Sequence, residues 1–246
     1  MSTTFITCIF DHNEDTLQKW LSTNIPFVFF IRENQWDLEK SKNKHFRVFP
    51  KVSISSRELP KNRNLEKDNE IFLQEGHEKL KCCRQICKEN PFNTKYFAYI
   101  DFDAYHLWKE PTTWNFFLNT FGKQDLYLPK DDTLFIPGCW GKASKSDDFH
   151  HSVHWRFCGN FFIGNEKAIL EFVDKSEKFY HSFNENILSW NVNLWAYIEC
   201  HDPLWKPHWY QADHSDSMIH IPNAFGYDLL KDKAMIVKCD YLDITP

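Results

Sequence analysis

Two aspartates, Asp101 and Asp103, stand two apart directly after an apolar run, in the stretch KYFAYIDFDAYHLWK. In an extended chain residues two apart share a face, so both carboxylates leave the strand end on one side. Like charges that close raise each other's pKa unless a cation lies between them. Paired oxygen donors of this kind suit magnesium, manganese or calcium rather than zinc. An isolated Asp-x-Asp is also a common solvated loop, so the pattern alone leaves both readings standing. Asp11, after the apolar run FITCIF, reads either as a contact to a base or ribose or as a helix N-cap. His150, His151 and His154 cluster, but the glutamate of an HExxH zinc site is missing. Cys82, Cys83 and Cys87 share a predicted helix with no further ligand at matching spacing, and they read as buried free thiols.

The elements that must position these groups follow from periodicity. Residues 5–10 and 25–31 are continuous apolar runs flanking a helical stretch at 14–21, which makes a βαβ unit and a parallel sheet. Residues 96–100 are a third buried strand, and ligands in such sheets bind beyond the C-terminal strand ends. The strands near Phe5, Ile25 and Tyr96 are expected to be neighbours, with Asp11 and Asp101 on one rim. Residues 46–54 suggest an edge strand, because Pro50 would interrupt a central one. Helices are expected at 71–88, 113–120, 166–181 and 186–199, and strands at 125–128, 133–136, 157–164 and 234–239. The strand FCGNFFIG has glycines at both ends, where a backbone approaches something closely, and it carries Asn160.

Composition sets outer bounds. The 246 residues suit one domain, long enough for a large core. A net charge of −5 with mixed signs gives no basic field for nucleic acid. No apolar run is long enough to span a membrane, and the start lacks a basic-then-apolar leader. The 8 cysteines are then expected to be reduced thiols in a cytoplasmic protein.

NPF followed by an apolar run and YIDF resembles the HtrL/YibB group of glycosyltransferase-like proteins. The order of strand, DxD and a G-[GN]-F-F-x-G strand is similar to glycosyltransferases of the GT-A fold. The likeness runs from about Thr4 to Ile221 and is sharpest over residues 90–106, 155–164 and 209–222. Many HtrL/YibB-like sequences lack an acid at the third DxD position; Asp103 stands there in this chain. WYQADHSDS resembles the late histidine with which many GT-A enzymes complete their metal site, which points to His214.

The resemblance implies an α/β fold with a mainly parallel sheet and helices on both faces, its nucleotide-binding half at 1–103 and its acceptor-binding half at 104–246. It also implies a sugar transfer from a UDP- or GDP-linked donor to a glycan or other hydroxyl acceptor. Asp101, Asp103 and His214 would hold Mn2+ or Mg2+ across the diphosphate. Lys206, Arg156 or the loop with Arg57, Lys61, Arg63 and Lys67 could add positive charge. Inversion would need a carboxylate base, for which Asp213, Asp216 and Glu199 are candidates. Asn160 could bind sugar hydroxyls, and Trp190 or Trp195 could stack on a sugar face or simply be core. A glycosyltransferase-shaped protein that binds without turnover is the main alternative. A phosphatase of the haloacid dehalogenase type is a lesser one, since its DxD normally follows the first strand.

Overall fold

The apolar and β-branched runs become strands of one sheet. The computed structural model describes residues 3–11, 13–32, 43–54, 56–122, 126–128 and 132–222. Its strands are β1 (Thr3–Ile9), β2 (Phe27–Ile31), β3 (Lys44–Val48), β4 (Tyr96–Ile100), β5 (Phe135–Gly138), β6 (Phe161–Asn165) and β7 (His208–Gln211). They form a 7-stranded sheet in the order β3-β2-β1-β4-β6-β5-β7. β1 pairs in parallel with β2 and β4, β2 with β3, and β5 with β7. β6 runs antiparallel to β4 and β5. The mainly parallel α/β class expected from the sequence is the one observed, and the three strands expected to be neighbours adjoin, with β1 in the middle.

Every residue of β1, β2 and β4 is buried, because helices cover both faces of the sheet. The helices are α1 (Glu14–Leu21), α2 (Glu70–Glu89), α3 (Pro111–Phe121), α4 (Glu166–Phe183) and α5 (Asn191–His201). On one face Ile6, Val28, Phe97 and Phe162 pack against apolar residues of α2, α4 and α5. On the other, Phe5, Phe27 and Ile100 meet Leu17 and Trp20 of α1 and Phe117 and Phe121 of α3. The alternation of strand side chains sorts the residues between these two layers. Asparagine starts three helices: the side chains of Asn13, Asn69 and Asn165 accept from Thr16 N, Phe72 N and Ala168 N. Among the described residues no helix is long and apolar enough to cross a membrane.

Several boundaries differ from those read in the sequence. β3 is an edge strand as Pro50 implied, but it stops at Val48. Residues 126–128 belong to no strand. The strand expected over 157–164 begins at Phe161, because the preceding residues fold back on β5: Cys158 N donates to Pro137 O at 2.7 Å. The helix expected from 186 begins at Asn191. The strand expected at 234–239 lies outside the described residues.

Candidate functional site

Parallel pairing places the C-terminal ends of β1, β4, β5 and β7 on one rim of the sheet. Asp11 follows β1, Asp101 follows β4, Cys139 follows β5, and Asp213 and His214 follow β7. Because β6 is reversed, its start lies on the same rim, and Asn160 sits beside Asp101: Asp101 N donates to Asn160 O at 2.9 Å. The topology thus gathers the residues singled out at 11, 101, 103, 160, 213 and 214.

Asp103 lies in a 3-10 turn, Phe102–Leu107, that is tied to α1. Trp20 Nε1 donates to Phe102 O at 2.8 Å, and Thr16 Oγ1 and His106 Nε2 lie 2.5 Å apart. Tyr99 Oη donates to Asp101 Oδ1 at 2.7 Å, and Lys79 Nζ is 3.8 Å from the same oxygen. Burial raises the Asp103 carboxyl above its usual range; His106 opposes the rise, and Asp101 and Asp11 add to it. Glu75 on α2 is also raised by burial, with Asp11 adding and its ion-pair partner Arg32 opposing. Burial and neighbouring carboxylates thus weigh on the charged forms of Asp103 and Glu75 alike, a load that positive charge nearby relieves.

His214 stands beside two thiols and within the field of Asp101. Its Nδ1 is 3.8 Å from Cys139 Sγ and 3.8 Å from Cys158 Sγ, and the two sulfurs are 3.8 Å apart. Its Nε2 is enclosed without a hydrogen-bond partner. Trp155 packs edge-on to the ring at 4.4 Å. Burial lowers the imidazole below its ordinary pKa against the fields of Asp101 and Asp213, which leaves a neutral ring with a lone pair to give.

No protein-family model matches the chain, so the narrower likeness to the HtrL/YibB group stands on its motifs alone. No curated protein matches it. Among solved structures, a glycosyltransferase involved in the glycosylation of the major capsid of PBCV-1 is similar at 10% sequence identity. That match has a TM-score of 0.43 and covers 87% of this chain and 82% of the other. At that level of likeness the chemistry of the rim has to come from its own residues.

Some expected site residues have other work. Lys206 is exposed just before β7, which places it at the rim opposite the aspartates. Arg156 is buried and bound to Glu199 through two 2.8 Å hydrogen bonds, so neither a free phosphate ligand nor a free base remains. Asp216 accepts from Lys109 N at 2.9 Å, Glu110 N at 3.0 Å and Thr113 Oγ1 at 2.5 Å. Those donors outweigh burial and hold its pKa low, so it fixes the chain entering α3 instead of taking protons. Trp190 and Trp195 belong to the core, Trp195 fully enclosed between Phe162 and Phe172, and neither presents a face for a sugar. Arg57 is spent on Gln74, Tyr180 and the Asn184 carbonyl. Cys82, Cys83 and Cys87 are buried free thiols, as expected.

Sequence reasoning missed Lys79, Cys139 and Cys158. Lys79 is buried on α2, donates to Gly159 O at 2.5 Å and lies over the Tyr99 ring at 4.6 Å. The signal was a lysine one turn before Cys83 on the apolar face of a helix, where a charge needs a partner. The two cysteines carry no such signal, because 19 residues separate them and only the pairing of residues 137–140 with 155–158 joins them.

Proposed function

We propose that the chain is a glycosyltransferase of the GT-A type, using manganese or magnesium to take a sugar from a UDP- or GDP-linked donor to a hydroxyl of a glycan. The observation that carries this reading is the convergence of Asp11, Asp101 and Asp103 beyond parallel strand ends, with Asp103 raised by burial and by its acidic neighbours. The donors we assign to it are oxygens of Asp101 and Asp103 and the enclosed, unpartnered Nε2 of His214; among the described residues these three groups are not yet gathered within ligand distance of one another, so binding would have to draw them together. An imidazole in the set favours manganese over magnesium. When bound, the cation would neutralise charge developing on the leaving diphosphate.

The chain's own groups prepare that centre. Tyr99 and Lys79 hold Asp101 from the core side, while Trp20 and Thr16 fix the turn that presents Asp103. Asn160, whose carbonyl accepts from Asp101 N, is the residue we assign to hydroxyls of the donor sugar. Asp213 is the rim carboxylate left for a base. Burial would raise it, but Ser215 and Ser217 hold it below the usual range, which makes it a weak one.

Calorimetry with UDP and GDP, with and without manganese, tests the reading. Asp103→Asn should weaken nucleotide binding by about tenfold or more when manganese is present and change it little when manganese is absent. Nucleotide affinity indifferent to both metal and substitution would sink the proposal. Release of nucleoside diphosphate across a donor panel then separates a transferase from a protein that binds without turnover.

A further inference from the structure

Among the described residues one group of three places metal-ligating atoms together: Cys139, Cys158 and His214. Three separate segments deliver them. Cys139 N and Trp140 N both donate to Trp155 O at 2.9 Å, and Cys158 N donates to Pro137 O at 2.7 Å. Ala212 N donates to Gly138 O at 2.9 Å, which brings the third segment alongside. At Gly138 an added Cβ would lie 1.8 Å from Arg156 O, so these backbones are already as close as they can come. The site is held by main-chain hydrogen bonds on each side and not by the flexibility of its side chains.

The spacing has a specific meaning. Zinc–thiolate bonds of about 2.3 Å and a zinc–imidazole bond of about 2.0–2.1 Å, opened at the tetrahedral angle, separate sulfur from sulfur by about 3.8 Å and sulfur from nitrogen by about 3.6 Å. The three separations here are each 3.8 Å. Both sulfurs also face the Ala212 carbonyl, at 3.4 and 3.6 Å, and Asp213 adds a negative field at both. We propose that Cys139 Sγ, Cys158 Sγ and His214 Nδ1 form a site for a thiophilic divalent cation, zinc first, with the fourth position open to water. Two sulfurs and a nitrogen select against magnesium and calcium, so this site and the aspartate pair take different metals. Metal uptake displaces the two thiol protons to solvent.

One consequence rests on the function proposed above. A neutral imidazole has one lone pair, and zinc on Nδ1 leaves a proton on Nε2. His214 can then no longer serve as a ligand to the cation at Asp101 and Asp103. Zinc in the thiol site therefore weakens the manganese-dependent centre.

The test begins with protein prepared under reducing conditions, equilibrated with zinc and dialysed against a weak chelator. Elemental analysis should find one equivalent of zinc per chain, and cobalt substitution should give a thiolate-to-metal charge-transfer band. Cys139→Ser, at the half-buried cysteine, and His214→Ala should each cost more affinity than the roughly 10–100-fold typical of an outer-shell change. Asp103→Asn should keep its zinc. Circular dichroism confirms that each variant is folded, so loss of zinc cannot be mistaken for loss of structure. Zinc absent from the wild type, zinc kept by both ligand variants, or a Cys139–Cys158 disulfide in the reduced preparation would each overturn the site. Added zinc should also weaken manganese-dependent UDP or GDP binding in the wild type and not in Cys139→Ser. If no nucleotide binds with manganese at all, the transferase reading fails while the zinc stoichiometry still decides the thiol site.

Discussion

At Asp101 two groups already hold the carboxylate from the core side, Tyr99 Oη at 2.7 Å and Lys79 Nζ at 3.8 Å. Lys79 is itself buried and anchored on the Gly159 carbonyl, so it cannot follow a ligand that moves. Its charge competes with any metal at the same oxygen. Lys79→Met should therefore raise manganese affinity in the absence of nucleotide while lowering stability by about 1–3 kcal/mol, the cost of an unsatisfied buried carbonyl. Metal titration and denaturant unfolding on the same variant check both halves; weaker manganese binding in a folded variant would contradict the argument. Asp101 and Asp103 were legible in the sequence because spacing on a strand is a local property. Lys79 beside them was not, because its neighbour across the sheet is set by packing of α2 on β4.

The 3-10 turn Asp216–Ile219 shows how an element can claim a residue that chemistry had a use for. Asp216 sits there as a carboxylate that accepts from two backbone N–H groups just ahead of α3 and from the Thr113 hydroxyl in its first turn. The anchor for the start of α3 thus arrives from more than a hundred residues away, where no pattern in the local sequence could reveal it. Asp216→Ala should lower the melting temperature in line with a loss of about 1–3 kcal/mol, as for hydrogen bonds to a charged group. Turnover measured well below that melting point should be nearly unchanged, whereas a large fall in kcat with stability intact would return Asp216 to the site. Strand existence and order were readable because β1, β2 and β4 are continuous apolar runs. The ends of β6 and α5 were not, since they depend on hydrogen bonds made by residues 158–160 and 186–189 to distant segments.

For the molecule as a whole, acid should be the weak side of its stability. His77 is buried on α2, with Nε2 2.8 Å from the Ser189 carbonyl, and burial holds its pKa at about 4. In the unfolded chain a histidine takes its proton near 6.5. Between those values the unfolded state binds more protons, so stability is present above about 6.5 and is lost as pH falls toward 4, by up to about 3 kcal/mol. Urea midpoints between pH 7 and pH 4.5 should show this slope in the wild type and a shallower one in His77→Gln, which keeps a donor but does not titrate. Equal slopes would remove His77 as the cause.

The reversal of β6 has a consequence for the order of assembly. β1, α1 and β2 close within a short span of chain, and β4 can join them as soon as α2 has formed. His214 reaches the rim that carries the aspartates only after β6 has turned back onto β4 and β5 has carried β7 into the sheet. These are the long-range pairings that close slowly in folding. A growing chain therefore displays Asp11, Asp101 and Asp103 well before it owns the imidazole and thiols that share their rim. A half-built rim would offer carboxylates alone, open to calcium or magnesium, and selectivity for a softer ion would appear only as the last strands dock.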